Sequence, residues 1–233
     1  MERIVPHPQP SEEFSSTSRP SVKSAILVRE RRSALVRAAI DVFSEKGYFA
    51  SRVTDVAAAA GVSQGTVYNY VKCKEDLLYM ICEDHFRGYE RIVNAALEKA
   101  SSPREKLDAL LRATVDVIFL YRKHYTVMLR ELHHVDSKKR RSFFNLAASQ
   151  REMCERVLRE VARTEKIAIE NSRITANLLV YLPKLIVSRG WDLRGHVSDD
   201  EIKGGILSFM RRGLGLLDGT KTKPYRGKKR IRA

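Results

Sequence analysis

Apolar side chains recur at helical spacing along most of the chain, whereas segments that alternate apolar and polar residues, as strands do, are almost absent. From Glu30 to Lys46 one apolar stripe predicts a first helix, which Gly47 ends; the stripe consists of Leu35, Ala38, Ala39, Val42 and Phe43. A long amphipathic segment follows Lys74, and a capping box of Ser102 and Glu105, with Pro103 between them, predicts the start of the next helix. The later helices are predicted at about 104–121, 125–135, 140–164, 172–189 and 199–217. This pattern predicts an all-α fold.

Composition suits a folded domain with a real core. The chain has 233 residues, of which 43% are hydrophobic and 30% charged, enough for one or two domains. No apolar stretch approaches the roughly 18 residues of a membrane span, and residues 1–24 lack the apolar core of a signal peptide. We therefore expect a cytoplasmic protein with no membrane partner.

The net charge of +15 is unevenly spread. Residues 219–233 carry seven Lys or Arg and no acid, which is typical of a solvated arm that adds nonspecific attraction to nucleic acid. Such a tail alone does not establish a function, because many cytosolic proteins have one.

Patterns that would indicate an enzyme or a metal site are missing from the sequence. The cysteines Cys73, Cys82 and Cys154 form no C-x-x-C pair and are expected to be reduced thiols. His133 and His134 are adjacent, so on a helix they point about 100° apart and do not share a metal ion. There is no Gly-rich phosphate loop, G-x-S-x-G motif or Ser/His/Asp order. We expect no enzyme activity, no metal and no cofactor.

Two short helices joined by a tight turn follow the first helix. The segment "SRVTDVAAAAG" offers Ser51 or Thr54 as an N-cap and Gly61 as the terminator. Ser63 then caps a helix from Gln64 to about Tyr70. This is the sequence pattern of a helix-turn-helix, in which glycine permits a positive φ in the turn.

The second of these helices, "QGTVYNY", has the polar groups that base reading needs. In a helix-turn-helix its N-terminal residues meet base edges in the major groove. Gln64 suits adenine and Thr66 a thymine methyl, whereas Val67 is expected to face the core and Tyr68 to offer its hydroxyl to a phosphate. The residues predicted to contact DNA are Arg32, Thr54, Ser63, Gln64, Gly65, Thr66, Tyr68, Asn69, Tyr70, Lys72 and Lys74. A helical hairpin with core tyrosines is the alternative interpretation.

Cations flank this helix and do not lie on it. Lys72 and Lys74 follow it, and Arg29, Arg31 and Arg32 come before it, near the start of the first helix. Lys74 opens the next helix, so its ammonium and the first backbone N–H groups of that helix are expected to bind one phosphate together.

Residues 38–78, "AAIDVFSEKGYFASRVTDVAAAAGVSQGTVYNYVKCKEDLL", resemble the N-terminal domain of TetR-family transcriptional regulators. The positions that match the pattern of that family are Phe43, Gly47, Tyr48, Asp55, Val56, Ala57, Gly61, Val62, Ser63, Gly65, Thr66, Tyr68, Lys74 and Leu77. The chain departs from the pattern at Arg52, near the cap of the second helix, and at Val71 and Lys72, where Phe-Pro is frequent. Cys73 replaces the usual Ser or Asn and is expected to weaken the N-cap of the fourth helix.

The organisation of the chain and this resemblance together predict four parts. They are a disordered lead at 1–24, a three-helix helix-turn-helix DNA-binding domain at 25–75, a helical effector-binding and dimerisation domain at 76–217 and a basic tail at 218–233. The resemblance implies that the last two helices of two subunits pack into a four-helix bundle, so that a homodimer binds a palindromic operator in double-stranded DNA. The expected function is a repressor that a small, mainly hydrophobic effector releases from DNA. A nonspecific architectural DNA-binding protein that uses its basic tail is the alternative.

Candidate effector-binding residues are spread over several helices. They are His85, Phe86, Tyr89, Thr114, Ile118, Tyr121, Met128 and Phe144. For any single one, burial in the core is the simpler interpretation, but together they are typical of a mainly apolar cavity with a few polar groups. The run "SKKRRSFF" at 137–144 is expected to be a solvated helix start. For an acyl coenzyme A effector, Lys138 to Arg141 would hold the phosphates.

Overall fold

The structure is a computed structural model that describes residues 22–165, 167–191, 193 and 195–216. These ranges contain helices and no strand, which confirms the all-α prediction. The helices are α1 Val22–Lys46, α2 Val53–Ala59, α3 Gln64–Tyr68, α4 Lys74–Leu97, α5 Pro103–Leu120, α6 Arg122–Glu131 followed by a 3-10 turn at Leu132–His134, α7 Ser137–Glu165, α8 Ser172–Arg189 and α9 Asp199–Gly213. The predicted basic tail and residues 1–21 lie outside the described residues.

Helix α1 begins at Val22 and not at Glu30, so the predicted disorder of the lead is wrong for residues 22–24. The reason is that Pro20 is the last helix-breaking residue before Gly47. The predicted apolar stripe of α1 is buried. Gly47 ends the helix with a φ of +78°, in the left-handed region that favours glycine.

Helix α2 is capped differently from the prediction, which named Ser51 or Thr54. Arg52 occupies the N-cap position, and its backbone N–H donates a hydrogen bond to the Asp55 carboxylate at 2.7 Å. The Ser51 hydroxyl instead donates to the Gly47 carbonyl and closes the turn after α1. Both predicted caps are therefore wrong. The Ser51 hydroxyl bonds to the preceding turn, and the Asp55 carboxylate inside the helix accepts the hydrogen bond at the N-terminus of α2.

The N-terminus of α4 is secured by Asp76, which compensates for a weak cap at Cys73. The cysteine occupies the N-cap position, and its side chain makes no cap hydrogen bond, in line with the prediction. The Asp76 carboxylate accepts hydrogen bonds from the backbone N–H groups of Lys72 at 2.7 Å and Cys73 at 3.2 Å. Lys139 Nζ on α7 lies 2.7 Å from the same carboxylate and 3.1 Å from Cys73 Sγ. Burial favours the neutral carboxyl, but these hydrogen bonds outweigh it and lower the pKa of Asp76 to about 2.

Two apolar clusters make up the core of the described residues. The first joins α1, α2, α3 and the start of α4 to α6 through Val127 and Met128. The second joins the end of α4 to α5, α7, α8 and α9. Helix α4 belongs to both, since Leu78 lies in the first cluster and Val93 in the second. A displacement of α4 therefore changes the packing of both halves of the molecule.

Helix α5 begins with the predicted capping box, in which Ser102 Oγ accepts from the Glu105 N–H at 3.2 Å. The end of α5 reaches α4 closely at Gly88. A Cβ on Gly88 would lie 2.2 Å from the hydroxyl oxygen of Tyr121, so no other residue fits there without a shift. The Tyr121 ring lies edge-on to the His85 ring, with centroids 5.7 Å apart. The missing side chain of Gly88 thus leaves the space that the Tyr121 ring occupies, and the Tyr121 ring in turn packs against His85.

Candidate DNA-reading helix and effector cavity

Helix α3 presents an exposed face without charge. At its start, Ser63 Oγ accepts a hydrogen bond from the Thr66 N–H at 3.1 Å and lies 2.9 Å from the Thr66 hydroxyl. Val67 is 0% exposed and anchors the helix to the first cluster, as predicted. Gln64 is exposed, and the Tyr68 side chain is 48% exposed. One buried side chain and one cap thus fix a short helix whose polar groups stay available to base edges.

The other residues predicted to contact DNA on this side lie on or beside α3. Gly65 and Asn69 are exposed on or at the end of α3, Thr54 is exposed on α2, and Lys72 is exposed in the connection to α4. Tyr70 is only half-exposed and packs against the first cluster. Its ring therefore contributes more to the packing of α3 than to the exposed polar face of α3, which is called the reading face below.

Two of the predicted phosphate-binding cations are held by groups of the protein itself. Lys74 Nζ donates to three carbonyls of the turn after α1, at 2.6, 3.3 and 3.0 Å, and lies 4.3 Å above the Tyr48 ring. Arg32 on α1 forms an ion pair with Glu83 on α4. Both contacts join α4 to α1 or to the turn after it, within the predicted DNA-binding unit of α1, α2 and α3. Either cation must therefore exchange or share these partners to reach a phosphate.

Further cations of the larger helical body reach the DNA-binding unit. Arg130 Nη2 on α6 donates to the Phe43 carbonyl near the end of α1 at 2.8 Å. Lys123 on α6 pairs with Asp41 on α1 at 3.0 Å. Together with the Lys139 contact to the start of α4, these bonds connect α6 and α7 to the helices that carry the reading face.

A cavity of about 210 Å³ lies where α4, α6, α7 and α8 meet. Most of its wall is apolar or aromatic, with Phe86, Tyr125, Met128, Phe143, Phe144 and Tyr181 among the lining side chains. Phe144 and Tyr181 are 57% and 47% exposed, so they stand where the cavity meets the surface. Met128 and Phe86 also belong to the first apolar cluster, which places the cavity against the DNA-binding unit.

The cavity also contains a buried lysine. Lys184 is 5% exposed, and its Nζ donates to Gln150 Oε1 at 2.6 Å and lies 4.6 Å from the centroid of the Tyr181 ring. Among the ion pairs of the described residues, none joins Lys184 to a carboxylate. Burial lowers the pKa of its ammonium to about 7.

A buried histidine lines the cavity as well. His85 is 1% exposed, and neither of its ring nitrogens has a hydrogen-bond partner within the described residues. Burial, with the nearby charges of Lys184 and His124, lowers the pKa of His85 to about 3. The ring is therefore neutral, with one donor and one acceptor unused.

An exposed apolar groove of about 1000 Å³ runs along α8 and α9. One face of α8 carries Ile174, Leu178, Tyr181 and Leu185, which are between 47% and 65% exposed. Phe209 on α9 is 68% exposed and lines the same groove. Such a contiguous apolar face on the last two helices is typical of a surface that packs against another protein.

Both halves of the chain match known families. Residues 35–79 match the family described as "Bacterial regulatory proteins, tetR family", and residues 100–214 match "Tetracyclin repressor-like, C-terminal domain". The chain belongs to the TetR family. Members are helix-turn-helix transcriptional regulators, which establishes the general class of this protein.

Individual TetR-family proteins are similar over different lengths. The HTH-type transcriptional regulator HbdR of Aromatoleum sp. (strain CIB) is 35% identical over 95 residues, which are 39% of this chain and 42% of that protein. The chain thus spans about two fifths of the curated relatives it matches. A TetR-family regulatory protein from Rhodococcus RHA1 has a TM-score of 0.69 at 22% identity, covering 81% of this chain and 99% of that one. AibR, solved in complex with isovaleryl coenzyme A and operator DNA, has a TM-score of 0.64 at 18% identity, covering 77% and 97%.

Within this TetR fold, the predicted effector residues divide into two groups. Half line the cavity: His85, Phe86, Met128 and Phe144. Half do not line it and are buried in the core: Tyr89, Thr114, Ile118 and Tyr121. In that second group the Tyr89 hydroxyl lies 3.2 Å from Thr114 Oγ1, so the two polar groups satisfy each other. For those two residues the simpler interpretation, a place in the core, fits the structure better.

Sequence reasoning missed Tyr125, Tyr181 and Lys184. Lys184 had a readable signal, because it is the only charged residue between positions 174 and 187 of an otherwise apolar TetR helix. A lone charged side chain in such a stretch either lies at the surface or is buried with a partner that a functional site supplies. Only the fold shows that it is buried.

Within the described part of this TetR protein, no helix has the length and apolar character needed to cross a bilayer. The same residues contain no group of three or more His, Cys, Asp or Glu side chains placed to hold a metal ion.

Proposed function

We propose that this TetR-family regulator is a homodimeric repressor that leaves a palindromic operator when a small, mainly hydrophobic effector occupies the cavity. The observation that carries the proposal is that one helix, α4, both lines the cavity and is bonded to the unit that contains α3. His85 and Phe86 of α4 line the cavity, whereas the start of α4 is bonded to the turn after α1 through Lys74. The proposed site of action is the cytoplasm, where the operator is.

The coupling follows from packing around α4. An effector that fills the cavity packs against Phe86 and Met128 and displaces them, and both residues also pack in the first cluster. The ion pair of Lys139 with Asp76 and the hydrogen bond of Arg130 to Phe43 then carry the shift to the start of α4 and to α1. In a dimer this changes the separation of the two α3 helices. A coupling free energy of about 1 to 3 kcal/mol lowers operator affinity roughly 5- to 150-fold.

The apolar groove supports a dimer through α8 and α9. On α9, Gly205 and Gly213 flank Phe209 at four-residue spacing, and a Cβ on either glycine would meet no atom within 4 Å in the monomer. Their lack of a side chain has no use inside one chain but permits close approach of a second one. Two such faces form a four-helix bundle, which spaces two reading helices for a palindrome.

The dimer is tested by charge insertion. Leu178→Glu, in the middle of the α8 face, is expected to give a monomer by size-exclusion chromatography with light scattering. Leu120→Glu is the matched control, because Leu120 is 69% exposed and outside the groove. A Leu178→Glu protein that remains dimeric would remove α8 from the interface.

DNA recognition is tested on operator sites that the protein itself selects from a random-sequence pool. The selected sites are compared with their scrambled versions over a range of salt concentrations. The repressor is expected to bind the selected palindrome about 10³-fold or more tightly than the scrambled DNA. An architectural protein that acts through its basic tail binds both equally, and that result would refute the proposal.

The chemical class of the effector is proposed from a related complex and from the lining of the cavity. AibR binds isovaleryl coenzyme A, as its solved complex states, which supports acyl-CoA as one candidate. The predicted phosphate-binding run, however, does not act as one cluster. Lys139 is engaged with Asp76, whereas Lys138, Arg140 and Arg141 are exposed. The cavity itself, with its aromatic walls, supports a mainly hydrophobic ligand.

A further inference from the structure

We propose that the cavity recognises an effector with a free carboxylate, which pairs with Lys184 and accepts a hydrogen bond from His85. This inference rests on the proposed function, because it names the chemistry of the ligand that the regulator senses. The ligand is a carboxylic acid with an apolar body.

The first observation is the lysine without a counter-ion. A buried ammonium has three N–H donors, and Gln150 Oε1 accepts one of them. The Tyr181 ring face, 4.6 Å away, gives a further weak attraction. These contacts do not replace the hydration that the charge has lost, and no carboxylate of the described residues pairs with it. An anionic group in the cavity supplies the missing partner.

The second observation is independent of the first. His85 on α4 lines the same cavity as Lys184 on α8, and both ring nitrogens of His85 are buried without a partner within the described residues. A neutral imidazole has one N–H to donate. A carboxylate has two oxygens, so one pairs with the ammonium and the other accepts from the imidazole. The Lys184 ammonium and the His85 imidazole therefore match the two oxygens of one carboxylate.

The size of the cavity limits the ligand. At about 30 Å³ for each water in the liquid, the volume equals that of about seven waters, or an organic acid of roughly ten non-hydrogen atoms. The walls at Phe86, Phe143 and Met128 suit an alkyl chain or one aromatic ring. A straight-chain acid of about eight carbons meets both conditions.

A free acid and its coenzyme A thioester differ at the group that meets Lys184. A thioester carries no charge at its acyl carbonyl, so its negative charge would lie outside the cavity and leave Lys184 without a counter-ion. Octanoate, octanamide and octanoyl coenzyme A share one alkyl chain and differ at the group that meets the lysine.

The test is isothermal titration of these three compounds into the full-length, DNA-free protein at pH 6.5. Octanoate is expected to bind roughly 10- to 100-fold more tightly than octanamide, the range for a charge-assisted hydrogen bond. In Lys184→Met the preference is expected to fall below threefold. Lys99→Met removes the same charge from an exposed position outside the cavity, and is expected to keep the full preference.

Several results would overturn the carboxylate site. The first two are equal binding of octanoate and octanamide to the wild type and an unchanged preference in Lys184→Met. The others are binding of octanoyl coenzyme A alone, and no binding of benzoate or of any straight-chain acid with four to ten carbons. The wild-type comparison needs no variant, so it holds even if Lys184→Met fails to fold. A preference for octanoate without any change in operator affinity would support the site and refute ligand-controlled repression instead.

Discussion

The reading helix and the cavity both contain polar groups that the isolated chain leaves unused, but they do so in opposite environments. On α3 the unused groups, such as the Gln64 amide and the Tyr68 hydroxyl, are uncharged and face solvent. In the cavity they are the remaining N–H donors of Lys184, which uses one donor on Gln150, and the His85 ring, and both side chains are almost fully buried.

Water explains why the two regions differ in cost. An exposed amide bonds to water until a base edge replaces it, so the fold loses nothing while α3 is unoccupied. A buried ammonium has lost its water and recovers the free energy only when a partner arrives. Removing a polar group from the exposed face of α3 should therefore change DNA binding alone, whereas removing one from the cavity should also change stability.

The two regions should differ most when a glycine in each is replaced by alanine. Gly88→Ala places a Cβ 2.2 Å from the Tyr121 hydroxyl oxygen beside the cavity, whereas Gly65→Ala on α3 places one 3.9 Å from its nearest neighbour, Ser63 Oγ. Gly88→Ala is expected to destabilise the fold by about 3 kcal/mol through overpacking. Gly65→Ala is expected to stabilise it by up to about 1 kcal/mol, because alanine favours a helix.

Urea unfolding at constant pH measures both free energies. Because both variants add one methyl group to a helical glycine, propensity alone predicts the same sign for each. Equal changes in stability would show that the packing near Tyr121 yields, and would break the contrast between the two regions.

The second prediction concerns pH and isolates the buried charge. The pKa of Lys184 is about 7 in the folded protein and about 10.5 when it is free. Between pH 7 and pH 9 the unfolded chain keeps a proton that the folded protein has lost, so this lysine destabilises the fold less as pH rises. The other titratable groups facing it in the cavity are His85, Tyr125 and Tyr181.

Comparison with Lys184→Met cancels the contribution of those groups. The variant is expected to be more stable than the wild type at pH 7, and its advantage is expected to shrink by about 2 kcal/mol at pH 9. Denaturant unfolding at both values measures it. A constant difference would mean that Lys184 finds an anionic partner within the chain.

The two regions also differ in how far the sequence predicts them. The caps at Ser63 and Ser102 and the end of α1 at Gly47 were predicted, because each depends on residues within one or two turns of the chain. The predicted cap at Ser51 is wrong for the opposite reason. Its hydroxyl has two uses within reach, and a residue-by-residue pattern does not decide which of them the turn selects.

The cavity depends on contacts between distant segments, which periodicity does not resolve. A helical stripe predicts that His85 and Tyr89 are buried, but not that one lines a cavity and the other packs against Thr114. The buried Lys184 donates to Gln150 on α7, which lies 34 residues earlier in the chain. Such a pairing follows from the arrangement of four helices and has no local signature.

The smallest expected effect lies on α3 and tests whether reading and anchoring are separate there. Gln64→Ala is expected to reduce affinity for the selected operator about tenfold and to relax specificity at one base position, because a bidentate base contact discriminates by about 1 to 3 kcal/mol. Lys72→Ala is expected to weaken selected and scrambled DNA alike and to reduce the salt dependence of binding by about one ion. Fluorescence anisotropy at several salt concentrations measures both. Since Gln64 and Lys72 are exposed, neither change should alter the unfolding free energy by more than about 0.5 kcal/mol. If Gln64→Ala instead weakened all sequences equally, its amide would serve the backbone, and α3 would anchor the protein on DNA without reading it.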